Sequence, residues 1–203
     1  MRLLGFYLFS WNANSPHLIN STTELSHINF FTRRMVKEGF LFSARLSVSR
    51  LKPGNRVFLD NAQEPNLKSY VYIDQQKLAI VIIFDHEYPQ KVLLSMGEEI
   101  NQEFYNTFSN EKIKNMKKDE HISMPKLEII IKKYQDPKEA DKLLKIKTEL
   151  EFINEIMHKN IDDILKRGEL LEDLINKSND LSGMSYNFYK QSRNANKKCC
   201  SLY

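Results

Sequence analysis

Ile164-Leu-Lys-Arg-Gly-Glu-Leu-Leu-Glu-Asp-Leu174 lies at the middle of a run from Leu143 to Ala195 whose period decides the reading of the C-terminal third. Alternating steps of three and four residues land on Leu143, Ile146, Leu150, Ile153, Met157, Asn160, Ile164, Arg167, Leu171, Leu174, Ser178, Leu181, Ser185, Phe188, Ser192 and Ala195. A repeat of 3.5 residues is the pattern of a helix whose seam faces partner helices in a left-handed coiled coil. No proline interrupts it, so the spacing predicts a rod of about 80 Å. Such a helix cannot bury its seam alone, and partner helices are implied. Arg167 sits on the seam, where a guanidinium needs hydrogen-bond acceptors from the facing helices. The C-terminal half of the seam turns small (Ser178, Ser185, Ser192, Ala195), which calls for larger side chains from other chains in those layers.

The chain ahead of the rod reads as a compact mixed domain. Leu3 to Phe9 is an apolar opening strand, and His17-Leu-Ile19 begins a second. A long helix is expected from near Ser26, stopped by Lys52-Pro-Gly-Asn55. Arg56 to Leu59, Ser69 to Ile73 and Leu78 to Phe84 are strands, the last two joined by the short connection Asp74-Gln-Gln-Lys77. Leu78-Ala-Ile-Val-Ile-Ile-Phe84 is apolar at every position, so it belongs at the centre of a sheet with both faces covered. A second long helix carries Val92, Leu93, Met96, Ile100, Phe104 and Phe108 at helical spacing, and a third, shorter one runs from Leu127 to Tyr134. The order is ββαβββαα: an α+β fold in which helices flank an antiparallel sheet of five strands.

Composition excludes several functions. At 203 residues the chain suits one core domain plus an appended element, and a net charge of +4 is too slight to argue for nucleic acid. The five histidines are scattered without metal-ligand spacing, no phosphate-binding loop occurs, and no nucleophile stands beside a base. No enzyme, metal or cofactor is expected. Asp85, His86 and Glu87 read as a turn at a strand-to-helix junction. No secretory signal opens the chain, and its longest apolar run is too short to span a bilayer, so any membrane attachment is expected to be covalent. The tail supplies the means. Cys200-Ser-Leu-Tyr203 has the C-a-a-X form, with Cys200 as prenyl acceptor and Cys199 beside it as a palmitoyl or second prenyl site. Lys190, Arg193, Lys197 and Lys198 give a basic approach to an anionic leaflet.

The stretch Ile164 to Leu174, with Lys177-Ser178 and Phe188-Tyr189-Lys190, resembles the R-SNARE motif of the synaptobrevin class. The cysteine tail and the N-terminal half extend the likeness over essentially the whole chain, to the lipid-anchored longin R-SNAREs of the YKT type. Asp85-His-Glu-Tyr-Pro89 and Tyr134-Gln-Asp-Pro-Lys-Glu-Ala-Asp141 resemble segments of that family. The resemblance implies a longin (profilin-like) domain over 1–136, a hinge at 137–140, an R-SNARE coiled-coil motif over 141–198 and a lipidated tail over 199–203. It makes Arg167 the ionic layer of a four-helix bundle, facing glutamines of Q-SNARE helices, and the other seam residues its further layers, including a polar one at Asn160. Assembly would drive vesicle docking and fusion in trafficking among endoplasmic reticulum, Golgi and endosomes. Disassembly and tethering machinery would be further partners, and the cytoplasm and the cytoplasmic faces of those membranes the location. A trafficking adaptor that uses the helix only to dimerise is the alternative.

The family's longin domain folds back on its SNARE segment, which implies an intramolecular contact through an apolar groove. The first helix has two apolar faces: Ile28, Phe31, Met35, Phe42 and Leu46 on one, Phe30, Phe40, Leu41 and Val48 on the other. A helical wheel favours the Phe42 stripe as the one against the sheet. The resemblance places Phe42 in the groove, with Phe30 and Phe40 as alternates. The sequence leaves the two assignments in conflict.

Overall fold

The computed structural model describes residues 2–60, 66–136, 156–165 and 169–187. Strands β1 (Leu3–Ser10), β2 (His17–Thr23), β3 (Arg56–Asp60), β4 (Leu67–Ile73), β5 (Leu78–Asp85) and β6 (Ile156–Asn160) form one sheet in the order β2-β1-β5-β4-β3-β6. All neighbours pair antiparallel except β3 and β6, which run parallel. Helix α1 (Phe30–Arg50) covers one face, and α2 (Gln90–Thr107) and α4 (Pro125–Tyr134) the other, with a short α3 (Asn110–Lys114) between these two.

The apolar run of β5 is buried at every position from Leu78 to Phe84, as expected of a strand between two layers. Leu78, Ile80, Ile82 and Phe84 join the core beneath α2, while Ala79, Val81 and Ile83 join the core beneath α1. Burying one large apolar side chain fully contributes ~1.5–3 kcal/mol, so this double-sided strand contributes to both cores at once. At Gly5 a side chain would meet Tyr7 at 3.1 Å and Phe40 of α1 at 3.4 Å, which is how closely the helix lies on β1. The β4–β5 hairpin is pinned by Asp74. One of its carboxylate oxygens accepts from the Gln76 and Leu78 amides, the other from Asn101 and Tyr105 of α2. The free edge of β2 is covered by residues 118–122, whose Glu120 and Ile122 amides donate to Leu18 and Ile19.

Helix α1 begins later than the spacing predicts. Asn29 caps it by accepting from the Phe31 amide at 3.0 Å, and Ile28 closes a turn onto Leu25, so the residues from Ser26 to Asn29 lie outside the helix. Two further expectations are corrected. The sheet has six strands rather than five, because 156–160, expected to be helical, adds to the β3 edge. The described part of 156–187 is also not one continuous rod. It is β6, then a 3-10 turn (Ile161–Ile164), then α5 (Leu171–Lys177), then a helical turn over 183–187. The reason is the one that makes a lone seam untenable in water: without partner helices, its apolar residues turn to the nearest apolar surface in the same chain.

Candidate functional site

Helix α1 has two apolar faces, and the structure assigns them. Phe40, Ala44, Val48 and Leu51 pack on the sheet with Tyr7, Val57 and Val81. Phe42 and Leu46 point away from it and are nevertheless buried, at 6% and 7% exposure. What covers them is the returning C-terminal segment: Leu171 and Ile175 form the buried floor of this contact, with Leu165, Leu174, Leu181 and Tyr186 around it. The wheel's choice of the Phe42 stripe for the sheet is therefore corrected. The stripe looked sheet-facing because it is apolar, and it is apolar because another part of the chain lies on it. Phe40 belongs to the sheet core, and Phe30 is 77% exposed.

Upstream, β6 adds to β3 in register from Arg56–Ile156 to Asp60–Asn160, with the His158 ring stacked on Phe58 at 5.3 Å. Asn160 then ends the strand and caps the 3-10 turn: its side chain accepts from the Asp162 amide, while Asp163 accepts from the Asn160 amide. That turn delivers Ile161 and Ile164 to the core beneath α1.

Polar contacts fasten the apolar strip along its length. Near the C-terminus of α1, Arg50 pairs with Glu169 at 2.6 Å. Arg45 pairs with Asp180 at 2.8 Å and with Asp119 at 2.7 Å, and donates to the carbonyl of Pro16. Burial works against the Asp119 charge, but Arg45 and the Leu18 amide hold its carboxyl below the usual range. Further toward the start of α1, Glu38 accepts from the Ser185 hydroxyl at 2.6 Å and the Ser182 amide at 2.8 Å. Burial opposes ionisation of Glu38, yet these donors and Arg34 bring its pKa down to about 2. The order of these contacts shows that 169–187 runs antiparallel to α1.

Every described seam residue is at least partly covered. Ile164, Leu171 and Ser185 are buried, at 8%, 7% and 1% exposure, and Met157, Asn160, Leu174, Ser178 and Leu181 are half-buried. Of the apolar residues off the seam, Ile161 and Ile175 are buried, at 7% and 5%, while Leu170 and Met184 are 62% and 69% exposed. Leu143, Ile146, Leu150, Ile153, Arg167, Phe188, Ser192, Ala195, Cys199 and Cys200 lie outside the described residues. The sequence reading missed Glu38, Arg45, Arg50 and Asp180. Glu38, Phe42 and Arg45 are spaced by four and three residues, so they share a helix face, and that spacing is the signal that would have found the first two. Among the described residues no group of histidine, cysteine and acidic side chains is placed to hold a metal, and no helix is long and apolar enough to cross a membrane.

Comparison with known proteins places both halves. Residues 25–131 match the model of the regulated-SNARE-like longin domain, and residues 142–202 match that of synaptobrevin. The VAMP-like protein YKT61 of Arabidopsis thaliana is 36% identical over 190 residues, 94% of this chain and 92% of the relative. The synaptobrevin homolog YKT6 of Yarrowia lipolytica is 32% identical over 200 residues, 97% of this chain and 98% of its own. The synaptobrevin homolog YKT6 of Saccharomyces cerevisiae is 30% identical over the full length of both chains.

Proposed function

Since this chain belongs to the longin-domain synaptobrevin homologues, the non-enzymatic R-SNAREs of vesicle trafficking, we propose that it alternates between two states that compete for one set of side chains. In the closed state Ile164, Leu171, Leu174, Leu181 and Ser185 lie against the longin domain. In the open state the same residues form layers of a four-helix bundle with Q-SNARE helices, around an ionic layer supplied by Arg167. The observation that supports this is that every described residue at the 3.5-residue spacing is buried or half-buried, with Leu171 packed against Phe42 and Leu46 of the longin domain beside the off-seam Ile175.

The chemistry of each state follows from its neighbours. A guanidinium in a dry layer needs amide oxygens around it, which glutamine side chains provide, and Ile164 and Leu171 on either side would exclude water. Zippering from Leu143 toward Ala195 would draw the C-terminus, and a membrane held there, toward the partner membrane. For that anchor we propose a prenyl group on Cys200 and a palmitoyl or second prenyl group on Cys199. Three residues separate Ala195 from Cys199, short enough to transmit the pull. A single chain holds a membrane only marginally, whereas two hold it stably. The domain limits proposed are 1–136, 137–140, 141–198 and 199–203, and the action is at the cytoplasmic face of Golgi, vesicle and endosomal membranes, with disassembly and tethering machinery as further partners.

Titration with purified Q-SNARE helices tests the competition. Partner binding is expected to expose the amides of 156–160 to hydrogen exchange while those of β5 stay protected. If the helices bind fully with β6 still protected, the two states do not compete and the proposal is wrong.

A further inference from the structure

At the start of α1, past the described end of the docked segment, two aromatic rings stand in water. Phe30 and Phe31 are 77% and 83% exposed, with ring centroids 5.9 Å apart and an edge-to-face arrangement. They border an open cleft of about 600 Å3. Among the described residues lining that cleft, three cations, Arg33, Arg34 and Lys37, face one acid, Glu24, and the exposed Arg34 side chain also pairs with Glu38 at 2.9 Å. The site is stiff. Asn29 caps the helix beneath the rings, and Arg33 ties it to the preceding turn through the carbonyls of Ser26 and Ile28, at 3.2 and 3.1 Å. Exposing two phenylalanines is unfavourable unless something takes them up, and neither core needs them.

We propose that Phe30 and Phe31, with Arg34 and Lys37, form a membrane-contact site that inserts two rings among the acyl chains of an anionic leaflet and sets the cations at its phosphates. Apolar rings beside cations are the composition of an interfacial anchor. The direction of the docked segment supplies a second argument. It runs antiparallel to α1, from Arg50–Glu169 toward Glu38–Ser185, so its described end at Asn187 lies at the half of α1 that carries the rings. Glu38 is seven residues from Phe31, about 10 Å along the helix. Thirteen residues then lead from Asn187 to Cys200, a reach of up to about 40 Å. The rings and the C-terminal end can therefore meet one bilayer while the seam is still covered. The site offers the closed chain a weak hold on a membrane, and the choice of membrane follows its negative charge.

The test uses the full chain without lipid modification, in flotation with vesicles of phosphatidylcholine alone or with one third phosphatidylserine. The wild type is expected to float with the anionic vesicles, less so as salt rises. Phe30→Ser/Phe31→Ser is expected to lower the bound fraction about tenfold with an unchanged thermal melt, since both rings are exposed. Arg34→Gln/Lys37→Gln should weaken binding and flatten its salt dependence. A variant with Lys190, Arg193, Lys197 and Lys198 changed to Gln removes the C-terminal basic run, and its remaining binding should vanish when the rings are also changed. Wild-type binding by the double phenylalanine variant overturns the proposal, as does failure of the wild type to bind anionic vesicles. Loss of Q-SNARE binding with unchanged flotation also overturns it, by making the rings a protein contact. The bundle-forming function stands apart, because helix assembly in solution requires neither vesicles nor Phe30.

Discussion

Phe42 is the residue on which the proposed closure can be tested. It is buried between α1 and the returning segment, and removing it from the sheet-facing set leaves the longin core intact. Phe42→Glu sets a carboxylate against Leu171 and Ile175, which is expected to disfavour the closed state by roughly 2–4 kcal/mol. Partner-helix binding should accelerate while the longin domain keeps its melting temperature; a collapse of that melt would instead make Phe42 core. Asp180→Asn is a milder probe, because Arg45 keeps Asp119 as a partner. The lost pair is worth about 1 kcal/mol, a fivefold rise in the open fraction, read as a fivefold faster onset of assembly. Glu38 adds a pH dependence whose sign is fixed. Its pKa is lowered from 4.5 to about 2, so its contribution is complete above pH 4.5 and disappears as pH falls through the folded value. Thermal melts of wild type and Glu38→Gln should differ at neutral pH and converge between pH 4.5 and 2; a constant gap would remove the ionised clamp.

At the scale of elements, what the sequence announces and what it conceals have physical causes. Leu78–Phe84 is legible because a short, β-branched run of seven apolar residues bounded by turns suits a strand covered on both faces. Helix α1 is legible as a helix but not in its orientation, since each of its faces is apolar for a different reason. Short α3 was hidden in a lysine-rich loop, where no apolar period marks it. Strand β6 was concealed most thoroughly, because Ile156 to Asn160 fits the coiled-coil period and acquires strand geometry only from the free edge of β3. An element stabilised by one neighbour opens more readily than one with two. In the isolated chain, amides of 156–160 are therefore expected to exchange with protection well below that of 79–83. In Phe42→Glu they should lose most of what remains. Equal protection of β6 and β5 would mean that the edge strand belongs permanently to the sheet.

Over the whole molecule, the proposed membrane anchor, a seam and a longin domain must share one chain. With Cys200 as the principal anchor, Cys200→Ser is expected to move the protein from the membrane to the soluble fraction in cells, and Cys199→Ser to leave a weak, fast-exchanging population. Equal membrane fractions for wild type and Cys200→Ser would locate the anchor elsewhere. The Ser185 contact has a consequence for how such a sequence can change over generations. Its hydroxyl is almost wholly enclosed and touches Glu38 at 2.6 Å. Considered only as a bundle layer, the position invites a larger apolar residue; considered only as a groove contact, it invites a donor no bigger than serine. Under the proposed two states selection acts on both, so the tolerated alphabet is the intersection of two lists, and Ser185 then records, in part, the shape of the closed molecule.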